Sequence, residues 1–70
     1  MSNDKLKQYR LSCGLTQVEV ANRANITETN YQRIEYGKQT PSLKTALLIA
    51  KALNIEVSEL FGDDNDTSTK

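Results

Sequence analysis

Histidine and tryptophan are absent from the 70-residue chain, and Cys13 is its one cysteine. A single cysteine cannot form an internal disulfide, and without histidine the usual Cys and His zinc spacing cannot be assembled. We therefore expect no metal, no cofactor and a reducing, cytoplasmic location. No apolar run approaches the ~20 residues that cross a bilayer, and residues 1–5 lack the apolar core of a secretion signal, so no membrane association is expected.

The residue types that carry catalysis are also scarce. Histidine is the commonest general base, and Cys13 has no histidine that could activate its thiol. The three glycines, Gly14, Gly37 and Gly62, lie too far apart to form a phosphate-binding loop, and no Walker or dinucleotide fingerprint occurs. We predict a protein that is not an enzyme and that has no evident small-molecule ligand.

Charge is unevenly distributed, although the formal net charge is zero and the pI is near 6.2. Residues 1–51 carry eight basic and four acidic side chains, a balance of +4. Residues 52–70 carry one basic and five acidic side chains, a balance of −4. Because residues 63–70 contain no apolar side chain that could offset the entropy of ordering, we expect one domain at residues 1–62 and an acidic, disordered tail at 63–70.

Apolar side chains recur at helical spacing between short polar turns, with no alternating stretch of strand length, which predicts an all-α fold. Five helices are expected, over about residues 4–13, 16–24, 42–53 and 57–61, with a third that Thr27 caps and that reaches about residue 35 or 36. Thr16 and Glu19 form a Thr-x-x-Glu capping box at the start of the second helix. Gly14, Asn25 and Gly37 stand where the chain leaves a helix, often in a left-handed conformation.

The fourth helix has the most regular apolar spacing of the five. Five side chains are expected along its apolar face: Leu43, Ala46, Leu47, Ala50 and Leu53. Leu48 falls outside this face and is expected to be exposed. Elsewhere, four further side chains are expected in the core: Tyr9, Cys13, Leu15 and Tyr31.

The residues around Asn25, Ile26 and Thr27 join two helices as in a helix-turn-helix, whose second helix enters the major groove of DNA. Further elements match at fixed spacing, namely Leu15-Thr16-Gln17, Ala21, Ile34-Glu35-x-Gly37 and Pro41-Ser42-Leu43. On these residues the chain resembles the Cro and CI repressor family of XRE-type regulators over roughly residues 6–61. The resemblance implies a compact, five-helix, lambda repressor-like DNA-binding domain in which helices 2 and 3 form the helix-turn-helix.

The third helix has one polar face. At about 100° per residue, Tyr31 points toward the core, while the outward face carries Glu28, Thr29, Gln32 and Arg33. Arg33 can donate two hydrogen bonds to guanine, and Gln32 can pair with adenine. Glu28 can accept from a cytosine or adenine amino group, and Thr29 can touch a thymine methyl. We predict that these four side chains read bases; the alternative is an ordinary solvated helix face.

The resemblance also implies contacts with the DNA backbone, which position a domain without specifying sequence. Five residues are expected to contact phosphates: Gln17, Thr27, Lys38, Ser42 and Lys44. Helix N-termini attract anions and would add to these contacts. For Lys38 and Lys44 the alternative is a general role in solubility, and Thr27 also caps a helix.

The resemblance further implies a structural ion pair between Arg10 and Glu35, partly buried, that ties the first helix to the third. Three positions depart from the family pattern. Asn25 replaces a turn glycine that is common in relatives, Tyr31 stands at a usually aliphatic position, and Glu28 stands where many relatives carry glutamine or serine.

The sequence thus predicts a sequence-specific transcription regulator, a repressor, that binds double-stranded DNA. One such domain buries roughly 600 to 1,000 Å² of protein surface on DNA, so we expect a homodimer on a two-fold operator. The candidate dimer interface is Ile55, Val57 and Phe61, or Leu48; alternatively these residues close the core of a monomer. The second hypothesis is a protein-interaction module such as an antitoxin or anti-repressor, which the acidic residues 63–66 favour.

Overall fold

The structure, a computed structural model, describes residues 4–61, which form five α-helices. These are α1 (Asp4–Ser12), α2 (Gln17–Ala24), α3 (Glu28–Glu35), α4 (Leu43–Ala52) and α5 (Val57–Phe61). The predicted all-α fold with five helices is confirmed. The predicted boundary between domain and tail lies outside the described residues.

Local side-chain chemistry fixes where three of the helices begin. The hydroxyls of Thr16, Thr27 and Ser42 each accept a hydrogen bond from the main-chain N–H three residues later, at 3.1, 3.0 and 3.2 Å. At α2, the Glu19 carboxylate accepts in return from the Thr16 N–H at 2.8 Å, which completes the capping box. These hydroxyl residues lie just outside the helices, so α2 and α4 each begin one residue later than predicted, while α3 begins directly after its predicted cap.

The turn between α2 and α3 depends on a left-handed residue. Asn25 has a φ of 60°, and its N–H donates to carbonyls of the last turn of α2. The N–H of Ile26 then donates to the Ala21 carbonyl at 2.9 Å, and Thr27 caps α3 immediately afterwards. Because the exit residue Asn25 and the entry residue Thr27 stand two positions apart, the two helices have a short, defined connection.

The core lies where α2 packs against α3 and α4, with α5 closed against α4. Its buried apolar side chains are Leu6, Val20, Ala21, Ala24, Tyr31, Ile34, Ala46, Ile49, Ala50, Leu53 and Leu60. The small side chains of Ala21 and Ala24 allow α2 to approach its neighbours closely. No helix within the described residues has the length and apolar character of a membrane span.

The buried face of α4 differs from the prediction. The buried residues are Ala46, Ile49, Ala50 and Leu53. Leu43 and Leu47, predicted on this face, are 74% and 49% exposed, whereas Leu48, predicted to be exposed, is half-buried against the core. At about 100° per residue, Ile49 and Leu47 lie on opposite sides of Ala46, so burial of Ile49 rotates the buried stripe away from Leu47.

One further core prediction is wrong. Tyr31 is fully buried, and Tyr9 and Leu15 are half-buried against the core, but Cys13 is exposed. Because α1 ends at Ser12, Cys13 lies in the turn that follows the helix rather than on its apolar face. There its Sγ donates to the Leu53 carbonyl at 3.7 Å.

The left-handed turn generates a stability prediction. A left-handed conformation costs an ordinary L-residue about 1–2 kcal/mol, costs asparagine less and costs glycine little. We expect Asn25→Ala to lower the free energy of unfolding by about 1 kcal/mol and Asn25→Gly to maintain or raise it. Urea unfolding followed by circular dichroism measures both, with the exposed, helical Asn22→Ala as the control. Equal losses for the alanine and glycine variants at Asn25 would contradict the role assigned to this turn.

Candidate nucleic-acid interface

A buried carboxylate holds the site together. Glu35, at the end of α3, is 2% exposed. Arg10 of α1 donates to it twice, from Nε to Oε1 at 2.8 Å and from Nη2 to Oε2 at 3.2 Å. Tyr31 Oη donates to Oε1 at 2.7 Å, and Gln17 Nε2 of α2 donates to Oε2 at 2.9 Å. Donors from three helices therefore satisfy both carboxylate oxygens, as a buried charge requires.

Arg10 extends this cluster to the turn between α1 and α2. Arg10 is buried, the whole residue being 8% exposed, and its Nη1 donates to the Leu15 carbonyl at 2.9 Å. The Arg10–Glu35 ion pair implied by the family resemblance is present, with more partners than expected. Sequence reasoning missed Tyr31 and Gln17 as members. For Tyr31 a signal existed, because it lies one helical turn before Glu35 and residues four apart meet on a helix.

The ionisation of the cluster follows from these contacts. Burial is the largest influence on Glu35 and raises its pKa, but hydrogen bonds from Arg10, Tyr31 and Gln17 together outweigh it, so the pKa of Glu35 lies below its ordinary value. The hydrogen bond to Glu35 raises the pKa of Arg10. Burial and the bond to Glu35 raise the pKa of Tyr31 well above its usual range. At neutral pH the cluster is a carboxylate, a guanidinium and a neutral phenol.

Gln17 carries this hydrogen bonding to the surface of α3. The second proton of its Nε2 is directed at Tyr36 Oη, 3.3 Å away. Its Oε1 accepts from Gln32 Nε2 at 3.3 Å, and Gln32 Nε2 also donates to Glu28 Oε2 at 3.0 Å. A continuous chain of side-chain hydrogen bonds therefore connects the buried Glu35 with the exposed Glu28.

The four residues predicted to read bases lie on the side of α3 that faces away from the core. Glu28, Thr29 and Arg33 are exposed, and Gln32 is half-buried. Within residues 4–61, Thr29 and Arg33 have no side-chain hydrogen bond or ion pair, whereas Gln32 and Glu28 are bonded to each other. The structure therefore brings the four together on one face, in two chemically different pairs.

Of the residues predicted to contact phosphates, four are exposed and Gln17 is half-buried. Lys38, Ser42 and Lys44 are exposed, and the Lys38 N–H donates to the Arg33 carbonyl at 2.8 Å, which keeps Lys38 beside the end of α3. Thr27 is exposed and caps α3. The side chain of Gln17 disagrees with its predicted role because its amide protons are directed at protein acceptors. Only its main-chain N–H, in the first turn of α2, remains for an anion.

An apolar groove lies on another part of the surface. Its volume is about 440 Å³, and it is lined by Thr40, Pro41, Leu43, Ala46, Val57, Ser58 and Phe61. Val57 and Phe61, two residues of the predicted dimer interface, line the groove and also pack against the core. The third residue, Ile55, packs against the core but is not among the residues that line the groove. Leu43, one of the lining residues, is exposed.

Two capped helices with a short turn between them, the second held by a buried ion pair and presenting an outward polar face, define a helix-turn-helix domain. The helix-turn-helix family pattern matches residues 6–60, and the chain belongs to this family. The predicted family is confirmed.

Known relatives agree with this assignment. The chain is similar to an uncharacterised HTH-type transcriptional regulator of Methanocaldococcus jannaschii, with 36% identity over 63 residues, 90% of this chain and 96% of that protein. It is similar to the immunity repressor protein of Bacillus phage phi105, with 37% identity over 60 residues, 86% of this chain and 42% of the repressor. The restriction-modification controller protein C.AhdI from Aeromonas hydrophila superimposes with a TM-score of 0.81 at 32% identity, over 84% of this chain and 89% of that structure.

The buried cluster generates a pH prediction. Because the pKa of Glu35 is lowered by folding, its ionised form stabilises the protein above the unfolded pKa, and this contribution is lost as the pH falls through the folded pKa. Tyr31→Phe removes one donor to the carboxylate and should cost about 1.5–3 kcal/mol at neutral pH. It should also raise the folded pKa of Glu35, so that acid destabilisation begins at higher pH.

Urea unfolding between pH 7 and pH 3 tests this prediction. The control is Tyr9→Phe, which removes a phenol that donates to the exposed Glu59 at 2.5 Å. This variant should change the free energy of unfolding at pH 7 less than Tyr31→Phe does. Identical stability and acid profiles for the two variants would argue against the central role of Glu35.

Proposed function

We propose that the chain regulates transcription by binding double-stranded DNA in a sequence-specific manner, with α3 in the major groove. The observation that carries this proposal is the outward face of α3, where Glu28, Thr29, Gln32 and Arg33 project from a helix whose other side is fixed to the core. With its side chains an α-helix is about 10–12 Å across, close to the roughly 12 Å width of the major groove. The eight-residue α3 can therefore lie in the groove.

The distribution of charge supports contact with a polyanion. Residues 1–51, which contain α1 to α4, carry the balance of +4. Lys38 follows α3, and Lys44 lies in the first turn of α4, so both can contact phosphates that flank the groove. Thr27 and Ser42 mark the N-termini of α3 and α4, where main-chain N–H groups attract anions.

We further propose that the protein acts as a repressor in the cytoplasm, by occupying an operator and without catalysis. The similarity to a phage immunity repressor supports this role. Occupancy requires only binding, and the outward face of α3 supplies hydrogen-bonding groups suited to base edges rather than a nucleophile beside a general base.

The roles of the base-reading and phosphate-contacting residues are separable by mutation. Arg33→Ala should weaken binding to the selected operator by about 1–3 kcal/mol, which is more than it weakens binding to random duplex. Lys38→Ala, the matched loss of one positive charge nearby, should weaken both equally and reduce the salt slope by about 1. Fluorescence anisotropy titrations at several salt concentrations measure both effects.

Two results would contradict this assignment. If both variants affect specific and random DNA alike, Arg33 does not read bases. If the folded chain binds no duplex at any salt concentration, the interaction-module hypothesis replaces the regulator.

We also infer that the chain binds a two-fold operator as a homodimer through the surface around the apolar groove. The interface would consist of the predicted Ile55, Val57 and Phe61, together with the leucines that the structure exposes on α4. Leu43 and Leu47 are four residues apart and therefore adjacent on the helix surface. Neighbouring exposed leucines beside a groove form the kind of apolar patch that protein interfaces cover. Half-sites would then lie about 34–36 Å apart.

A charge placed on this surface tests the dimer. Leu43 is 74% exposed, so Leu43→Asp should leave the fold intact, shift sedimenting protein toward monomer and weaken binding to a two-half-site operator. Binding to an isolated half-site should be much less affected. Leu11→Asp, on α1 at a residue 57% exposed, is the control and should change neither property. Equal effects of the two changes would contradict the assigned interface.

A further inference from the structure

We propose that Gln17 orients the side-chain amide of Gln32 on the outward face of α3. Gln32 and Glu28 together then offer hydrogen-bond acceptors and no donors to DNA. This inference rests on the proposed function and specifies the base chemistry that the site takes. It predicts that the two side chains select adenine or cytosine, which carry amino groups, over guanine or thymine, which carry keto groups at the corresponding place.

Glu35 sets the orientation of the Gln17 amide. The ionised Glu35 has acceptors only, so Gln17 must direct Nε2 rather than Oε1 toward it, at 2.9 Å. The other Nε2 proton is directed at Tyr36 Oη. The Oε1 of Gln17 consequently faces the opposite way, toward α3.

Gln17 in turn sets the orientation of the Gln32 amide. Because Gln17 Oε1 can only accept, Gln32 must direct Nε2 toward it, and the distance is 3.3 Å. The same Nε2 donates to Glu28 Oε2 at 3.0 Å. Both amide protons of Gln32 are therefore used within the protein, and within residues 4–61 its Oε1 has no partner.

This orientation of the Gln32 amide limits which bases the side chain can pair with. A glutamine that pairs with adenine in the usual way donates to N7 and accepts from N6, but the donor half of Gln32 is occupied. What remains is the Gln32 Oε1 beside the Glu28 carboxylate, a surface that repels N7, O6 and O4 acceptors. At the equivalent place in the major groove, adenine and cytosine present an amino group, whereas guanine and thymine present a carbonyl. Arg33, a donor only, has the opposite preference.

Selection of bound duplexes from a random pool by the full chain tests the inference. We expect adenine or cytosine at the positions that face Gln32 and Glu28, with each change to guanine or thymine weakening binding by roughly tenfold. The position that Gln32 faces is identified because its preference disappears in Gln32→Ala. Selection of guanine or thymine there would overturn the inference alone, whereas no sequence selection at all would overturn the proposed function with it.

The role of Gln17 has its own variant. Gln17→Leu frees one Gln32 proton, so the preference for amino bases should fall several-fold at the Gln32 position, while the preference at the Arg33 position stays unchanged. A ratio between two operators that differ at one base pair cancels effects on folding and on phosphate contact. Gln8→Leu, the same chemical change at an exposed residue of α1, should leave every ratio unchanged. An equal effect of Gln17→Leu on all operators would overturn the role of Gln17.

A second measurement needs no DNA. In NMR spectra of the free protein, the Gln32 side-chain amide protons should exchange slowly with solvent. In Gln17→Leu one of them should shift and exchange faster, while Gln8→Leu leaves both unchanged. Gln32 amide protons that exchange as fast as those of the exposed Gln8 would overturn the inference even if operator selection succeeds.

Discussion

The structure depends on one charge, the Glu35 carboxylate, which must receive hydrogen bonds because it is buried away from water. A buried carboxylate costs several kcal/mol unless its oxygens receive hydrogen bonds, and Glu35 receives them from Arg10, Tyr31 and Gln17. These donors belong to three different helices, so the helices must converge on one point. That convergence fixes the orientation of α3 relative to the other helices. Recognition of DNA by a helix of eight residues requires such a fixed angle, because base contacts tolerate little displacement.

The fold was largely predictable because the signals that delimit its helices are local. The caps Thr16, Thr27 and Ser42 act on main-chain groups three residues away. The left-handed conformation of Asn25 is likewise local, because asparagine tolerates it without help from distant residues. The rotation of α4 was not predictable in this way. A leucine-rich helix offers several apolar stripes, and packing against α2 and α5 selected the one that contains Ile49.

The candidate site likewise combines features that the local sequence encodes with features that depend on residues distant in the sequence. The outward face of α3 follows from helical periodicity within eight residues, so the sequence was enough to define it. The bonds from Gln17 to Glu35 and from Gln32 to Gln17 join residues 18 and 15 positions apart, and no periodic pattern encodes them. The Arg10–Glu35 pair, 25 positions apart, was accessible only through the family resemblance. Tyr31, an exception to the aliphatic family pattern, supplies the carboxylate with an additional donor.

The two pairs on the outward face of α3 differ in how easily they can be replaced during evolution. Within residues 4–61 Thr29 and Arg33 have no side-chain partner, so new residues at these positions alter binding without altering the interior. Gln32 and Glu28 are linked through Gln17 to the core, and a new residue there disturbs the hydrogen bonding of a buried charge. A lineage that acquires a new operator would therefore diverge first at positions 29 and 33, with positions 17, 28 and 32 changing together.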